Sequence, residues 1–290
     1  MPQLLANAIV TSAIYVLVGL SFSLIYTTSR FFNFAHAGYI VVAPYVAYFL
    51  ARNLGAGWLL AFVTGAIAGA LTAIALDAFI FQLLVGRQSP STAPLLASLG
   101  LFVVIQATIA LVFGAASLSF GLGEGSIYEV LGARLTGVQG ATIIAAIVGA
   151  AMVWLFLQRS TRGKLIRAVG CDRELAIAYG IDPVKVSLMA TGVGAAMAGI
   201  VGCLSAADIG LTPTAGFQLL LGGVVAMVIG GVGSTPGLLL GAILVAAVEH
   251  GAQWWFSSAW DRLILFGILL LFLLFRPAGI LGRSSRAASV

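Results

Sequence analysis

Charged residues divide the chain into long uncharged stretches at 1–29, 31–51, 53–76, 88–123, 135–158, 186–207, 209–248 and 263–275. All but the last hold at least 20 residues, and about 20 apolar residues span a bilayer's hydrocarbon core. Within them apolarity runs all round rather than alternating, as in VTGAIAGALTAIAL (63–76) and LILFGILLLFLLF (263–275). Barrel strands would instead show segments of about ten residues alternating apolar and polar. The expected fold is therefore an all-α polytopic integral membrane protein. The stretch 209–248 would be about 60 Å long as one helix, and it carries Gly230, Gly231, Gly233, Ser234, Pro236 and Gly237. Glycine and proline at that density break a helix, so two short spans are expected, about 214–230 and 235–249. That gives nine crossings, or eight if one piece is re-entrant. Residues 1–29 carry no basic leader and are too long for a signal's apolar core, so they are expected to form the first span.

Composition removes the alternatives. Hydrophobic residues make up 61% of the 290, with 36 glycines besides, against only 14 basic and 9 acidic residues. A soluble fold could not cover its surface with so few charges, and disorder needs the opposite composition. With an external N-terminus, Arg30, Arg87, the six basic residues of 159–185, Arg276, Arg283 and Arg286 fall on one side, which is 11 of 14. The excess of Lys and Arg marks the cytoplasmic side, so the C-terminus, with a short tail at 284–290, is expected inside. The opposite side holds Glu124, Glu129, Asp208, Glu249 and Asp261. Glu249 and His250 are expected at the outer mouth, and Trp254, Trp255 and Trp260 in an outer aromatic belt. The net charge of +5 is thus topology, and no basic run interleaved with aromatics points to nucleic acid. Two cysteines, Cys171 and Cys203, and two separated histidines suit neither a disulfide nor a metal centre.

Segment 159–185, RSTRGKLIRAVGCDRELAIAYGIDPVK, carries nine of the 23 charges. Asp172 can cap a short helix over 173–179, and Gly180 suits the left-handed position after it. Asp182 followed by Pro183 is a second start signal, leading straight into the span 186–207. The segment is therefore expected to be two short helices across the membrane face. Ala176 and Gly180 offer a small-residue face, Arg173 and Glu174 polar contacts, and Leu175, Ile177 and Tyr179 an anchor. The competing reading is a solvated loop whose arginines only fix topology.

At this point the chain resembles a family. Gly163, Arg167-Ala168, Asp172, Ala176 and Gly180-Ile181 match the cytoplasmic motif of permease subunits of branched-chain amino acid ABC transporters. Phe32-Asn33-Phe34-Ala35-His36 is similar to that family's segment at the start of its second span, with Ala37 where glycine is usual. Gly230-Gly231-Val232-Gly233-Ser234, Pro236-Gly237 and Gly241 resemble its glycine-rich break. Phe275-Arg276-Pro277-Ala278-Gly279-Ile280-Leu281-Gly282 resembles its C-terminal signature. The resemblance implies a single transmembrane permease domain, 1–283, in the bacterial inner membrane. It implies a second homologous permease subunit, identical or not, two cytoplasmic ATPases and a periplasmic substrate-binding protein as partners. The coupling loop 159–185 would dock on the ATPase through Gly163, Arg167, Ala168, Asp172, Glu174, Ala176, Gly180 and Ile181. No cofactor is expected on this chain, with ATP held by the partner subunits.

Within the spans, the candidates for the substrate path are Asn33, His36, Asp77, Gly230, Gly231, Gly233 and Ser234. An intramembrane acid is costly and marks function by default. A broken helix can line a path, although glycines also serve close helix packing. Rival functions have less behind them. A secondary transporter would need ion-coupling acids, and only Asp77 offers itself. An intramembrane enzyme would need converging acid, base or nucleophile groups, and no such motif occurs. The chain also lacks the Gly-x-x-x-x-Gly-Lys-Ser/Thr phosphate loop, so it is not expected to hydrolyse ATP. Branched-chain amino acids are the expected substrate class, with urea and short amides as the alternative.

Overall fold

Long uncharged runs fold into long helices. In the computed structural model, which describes residues 2–86, 92–121, 127–130, 132–254, 257, 260–276 and 278–282, helix α1 (Pro2–Ser29) is followed by α2 (Ala35–Leu54) and α3 (Trp58–Leu76). One π-helical turn, Asp77–Phe81, joins α3 to the short α4 (Gln82–Gly86). Then come α5 (Thr92–Phe113), strands β1 (Ile127–Val130) and β2 (Ala133–Thr136), and α6 (Gly137–Arg159). The polar segment contributes α7 (Thr161–Cys171) and α8 (Arg173–Ala178), before α9 (Pro183–Ile209), α10 (Ala215–Gly230), α11 (Thr235–Ala252) and α12 (Asp261–Phe275). Arg87, Glu124, Trp255, Pro277, Arg283, Arg286 and the tail 284–290 lie outside the described residues.

Among the described residues, six helices are long and apolar enough to cross a membrane: α1, α3 with its continuation, α5, α6, α9 and α11. Helix α2 has 20 residues, α10 has 16 and α12 has 15. The chain is a multi-pass membrane protein. The break expected in 209–248 is present, since α10 ends at Gly230 and α11 begins at Thr235.

Two elements depart from the expected pattern. Strands β1 and β2 form a short antiparallel hairpin pairing Ile127 with Thr136 and Glu129 with Arg134, an addition to an otherwise all-α fold. The polar segment also holds three helical pieces, not two. Helix α7 is capped by Ser160, whose hydroxyl accepts from the Gly163 N–H at 2.8 Å. The following helix stops at Ala178 with Tyr179 as its cap, one residue short of the expected 179.

Burial grades the helices. Along α1 an unbroken buried run extends from Tyr15 to Phe22, because α9, α10, α11 and α6 surround it. Helices α3, α5, α6 and α12 keep one side buried and leave Leu59, Leu111, Ile147 and Leu274 exposed, as lipid-facing helices must. The central helices approach closely because small residues face one another. A Cβ at Gly202 of α9 would land on the Ile40 carbonyl oxygen of α2, and one at Gly216 of α10 on the Ala37 carbonyl.

One end of the bundle is tied by polar groups around the hairpin. The Gln3 side-chain oxygen Oε1 accepts from the Arg134 N–H at 2.9 Å. Thr136 and Gln139 form a reciprocal cap on α6 and both reach Asp208 at the end of α9. Glu249 and His250, expected at an outer mouth, are tied into α1. The Tyr15 hydroxyl donates to Glu249 at 2.7 Å, and His250 Nε2 meets the Thr11 hydroxyl at 2.8 Å. Gln253 links His250 to Asp261.

Gly202→Ala drives a methyl into backbone and is expected to cost about 1–3 kcal/mol. Gly100→Ala, on an α5 surface with nothing within 4 Å of the new carbon, is expected to be neutral or slightly stabilising. Thermal unfolding of both variants in detergent measures the difference; equal midpoints would refute the close α9–α2 contact.

Candidate functional site

The coupling-motif residues come together at the end of the bundle opposite the hairpin. Helix α8 is one and a half turns long, below the length at which helices are stable alone, so caps and packing hold it. Asp172 Oδ1 accepts from the Leu175 N–H at 2.9 Å. Gly180, at φ +77°, turns the chain out of α8 and donates its N–H to the Ile177 carbonyl at 2.8 Å. The Ile181 N–H then closes on the Ala176 carbonyl at 3.0 Å, as in a Schellman motif. Two residues on, Asp182 Oδ1 accepts from the N–H groups of Val184 at 3.0 Å and Lys185 at 3.4 Å, with Pro183 at the first helical position of α9. The Lys185 backbone N–H foremost holds the Asp182 carboxyl below its usual range.

A small core welds these pieces. Ala176 packs with Ile166, Val169, Val186 and Ala190, and Ile181 closes against them. Gly163 is needed because a Cβ there would strike the Phe156 carbonyl. The Ala168 carbonyl accepts the Asp172 N–H at 3.1 Å. Arg167 donates to Gln158 at 3.2 Å, and Glu174 points to solvent. What this rigid unit leaves exposed is apolar: Leu175 and Ile177 at 55% and Tyr179 at 79%.

The path candidates separate into two groups. Gly233 and Ser234 line a cleft of about 530 Å³ between α1, α6, α7 and the turn before α11, and Arg167 lines the same cleft. The structure thus joins the coupling motif to the glycine-rich break. Within that break Gly231 (φ +105°) and Gly233 (φ +82°) take conformations that suit only glycine, and Ser234 caps α11 by accepting from the Gly237 N–H. Gly230 faces the Gly237 backbone so closely that no side chain fits. The C-terminal signature docks onto this break, with the Ile280 N–H bonded to the Ile229 carbonyl at 2.8 Å and the Leu281 N–H to that of Gly230 at 3.0 Å.

The second group is sealed between helices. His36 is fully buried; its Nε2 meets the Ser21 hydroxyl at 2.9 Å, and the rings of Phe22 and Tyr39 stand edge-on to it. Asn33 Oδ1 accepts from the Ala35 N–H at 3.0 Å, starting α2. Asp77, at the π turn, accepts from Thr191 at 2.7 Å, Gln82 at 3.1 Å and Ser187 at 3.5 Å, linking α3 to α9. None of the three lines the cleft. Sequence reasoning missed Arg30, whose guanidinium donates to the Gly170 carbonyl and pins α7 to the end of α1. Its positive φ of 60° is a turn signal that residue identity did not carry.

Comparison with known proteins points one way. A family profile described as branched-chain amino acid transport system / permease component matches residues 4–274. The chain is 26% identical to the high-affinity branched-chain amino acid transport system permease protein LivH of Escherichia coli K12, over 97% of this chain and 95% of that one. It is 26% identical to BraD, the corresponding permease protein of Pseudomonas aeruginosa, again over 97% and 95%. It is 30% identical to the xylose transport system permease protein XylH of Haemophilus influenzae, over 51% of this chain and 40% of that one.

The caps set an expectation of their own. Asp172→Ala and Asp182→Ala should each loosen the helix start that they cap, read as faster hydrogen exchange at the Leu175 amide and at Val184 and Lys185. Because the folded Asp182 carboxyl titrates below its unfolded value, its contribution is present above the unfolded pKa. It is lost as pH falls through the folded one, so acidification should loosen the first turn of α9 in the native chain and leave Asp182→Ala unchanged. Equal acid response in both would refute the cap.

Proposed function

We propose a mode of action from one premise: the chain belongs to the family of branched-chain amino acid transport permease components. It acts as the membrane-spanning subunit of an ATP-binding-cassette importer, with residues 1–283 as one permease domain. Its solutes are branched-chain amino acids, the class that the names of the full-length relatives state. Two ATPase subunits dock at the α7–α8 end, a second permease subunit completes the path, and a substrate-binding protein delivers at the hairpin end. The protein sits in the inner membrane with its N-terminus outside and the α7–α8 end in the cytoplasm, as the distribution of Lys and Arg argues.

One observation carries the reading. Helix α8 is fixed at both ends by carboxylate and glycine caps and backed by its own core, yet it presents Leu175, Ile177 and Tyr179 outward. Apolar groups so exposed beside the basic face mark a docking surface, and a rigid mount suits a surface that must pass on force. Docking on α8 would push directly on α9, because Asp182 starts that helix four residues after α8 ends. Helix α9 packs on α1, α2 and α3, so its displacement moves the bundle as a body. ATP stays on the partners.

Leu175→Asp combined with Tyr179→Asp is expected to leave membrane insertion intact while the partner ATPases no longer co-purify and ATP-driven leucine uptake falls to background. Arg167→Glu and Gly180→Leu, which alter the seat of α8 and its turn, should also stop uptake. Normal uptake in these variants would remove α7–α8 from the coupling role.

A further inference from the structure

Among the described residues, the buried polar side-chain atoms without a hydrogen-bond partner are His36 Nδ1, Tyr39 Oη, Tyr45 Oη and Asp261 Oδ1, and Tyr45 lies near a seam that carries two further unpaired amides. Helices α5 and α10 both pack on α2, yet touch each other chiefly through aromatic rings: Phe217 stacks on Phe102 at 5.5 Å between centroids and leans on Phe34 at 6.4 Å. Gln106 lies one turn along α5 from Phe102, and Gln218 follows Phe217 on α10. Gln218 is exposed and Gln106 half-buried, and among the described residues neither amide has a hydrogen-bond partner. Their depth is fixed by their neighbours. Gly38 of α2 meets Ile105, beside Gln106, and Gly216, two residues before Gln218, meets Ala37. Both amides therefore sit at the level of residues 37–38. That is the middle of the bundle, since Gly222, one turn beyond Gln218, lies against Tyr15 halfway along α1.

Lipid is the wrong neighbour for such groups. An unbonded amide in hydrocarbon costs several kcal/mol by transfer scales, about 4–8 into an alkane. The large exposed positions of α5, such as Leu111 at 87% exposure, are aliphatic, and the exposed Thr108 returns its hydroxyl to the Val104 carbonyl at 2.8 Å. Further toward the hairpin end, α2 and α10 also enclose, with α9, a crevice of about 10 Å³ lined by Tyr45, Ser205 and Thr212, and the Tyr45 ring leans on Phe113 of α5 at 5.0 Å. The crevice is space for one water. The Tyr45 hydroxyl is buried there, with the residue 2% exposed, and has no partner.

We propose that the α2–α5–α10 seam is this chain's half of the solute path, with Tyr45, Gln106 and Gln218 as its polar contacts and Phe34, Phe102 and Phe217 as its constriction. The chemistry suits a small zwitterion with an apolar side chain. Neutral amides donate and accept without selecting a net charge, so they meet both a carboxylate and an ammonium group. The aromatic trio beside them takes the apolar side chain and, where the seam is shut, blocks leakage of water and ions. On α5 the trio lies on the α7–α8 side of Gln106, so a solute entering from the hairpin end meets Tyr45, then the amides, then the rings. This assignment rests on the transporter reading above, and its contacts lie outside the coupling surface.

The test uses the complete transporter, with its ATPase partners, in proteoliposomes. In a Cys171→Ser, Cys203→Ala background, Gln106→Cys and Gln218→Cys should react with a membrane-impermeant maleimide, and saturating leucine should slow the reaction. Leu111→Cys should not react. Tyr45→Phe and Gln218→Leu should insert normally and reduce maximal leucine uptake about tenfold, the scale of one lost hydrogen bond to a charged group. If the native complex takes up leucine and either glutamine position stays unlabelled, or both polar-group deletions transport at the native rate, the path assignment is overturned while the transporter reading stands. If the native complex accumulates nothing with ATP, the transporter reading falls. Labelling at 106 and 218 against silence at 111 then still decides whether the seam holds water.

Discussion

No backbone N–H or C=O can be left unpaired where hydrocarbon replaces water, and this chain obeys that constraint at the places where its helices break. Between α1 and α2 the backbone leaves helical geometry over residues 30–34. There Asn33 Oδ1 takes the Ala35 N–H and the Ser98 hydroxyl takes that of Phe34. Between α10 and α11, Ser234 takes the Gly237 N–H, and the carbonyls of Ile229 and Gly230 are met by the N–H groups of Ile280 and Leu281. The family motifs are thus largely the repairs of broken helices. Their glycines admit the second backbone, and their polar side chains complete the hydrogen bonding that the break would leave open.

Much of this was legible before any coordinates. Uncharged runs gave the long helices, because burying an unpaired charge in lipid is costly for a span. The cluster from Gly230 to Gly237 gave the break, since positive φ at Gly231 and Gly233 is a local property of glycine. Asp172, Gly180, Asp182 and Pro183 gave α8 and the start of α9 for the same reason: caps act within one turn. What stayed hidden was long-range. Nothing local says that Ile280 and Leu281 return to Ile229 and Gly230, or that Tyr15 reaches Glu249 across 234 residues. Helix α7 was hidden differently. Its basic, weakly apolar sequence reads as a solvated loop, and it folds because Ile166 and Val169 are buried under α8 and α9.

The same distinction explains the uneven fate of the path candidates. Gly233 and Ser234 of the break fall on the cleft, whereas Gly230 and Gly231 pack against the backbone of Gly237 and Gly282. Asn33, His36 and Asp77 were singled out for rarity in apolar sequence, and rarity has more than one cause. Asp77 accepts three side-chain hydrogen bonds and ties α3 to α9 at the π turn, a place where extra backbone width lets a side chain swing toward a neighbouring helix. His36 fills a pocket between Phe22 and Tyr39. Both look expensive from the sequence because their partners, Thr191 and Ser21, cannot be seen from their own helices.

Polarity in a span therefore marks a path only where the fold leaves it unanswered. By that criterion the residues that matter are ones whose chemistry is bland in the sequence. Gln106 and Gln218 are uncharged, sit in helices of high apolarity, and carry no motif. Their significance appears only when α2 is placed beneath both helices and no partner arrives from among the described residues. Under the transporter reading the molecule then divides its labour by depth. At one end charged caps hold α8 rigid for docking, and in the middle neutral amides and aromatic rings contact a solute without trapping it. A charged side chain at that depth would bind a zwitterion more tightly, but it would carry the desolvation cost permanently and slow release. A neutral amide gives up less water when the seam closes, which suits a site that must empty on every cycle.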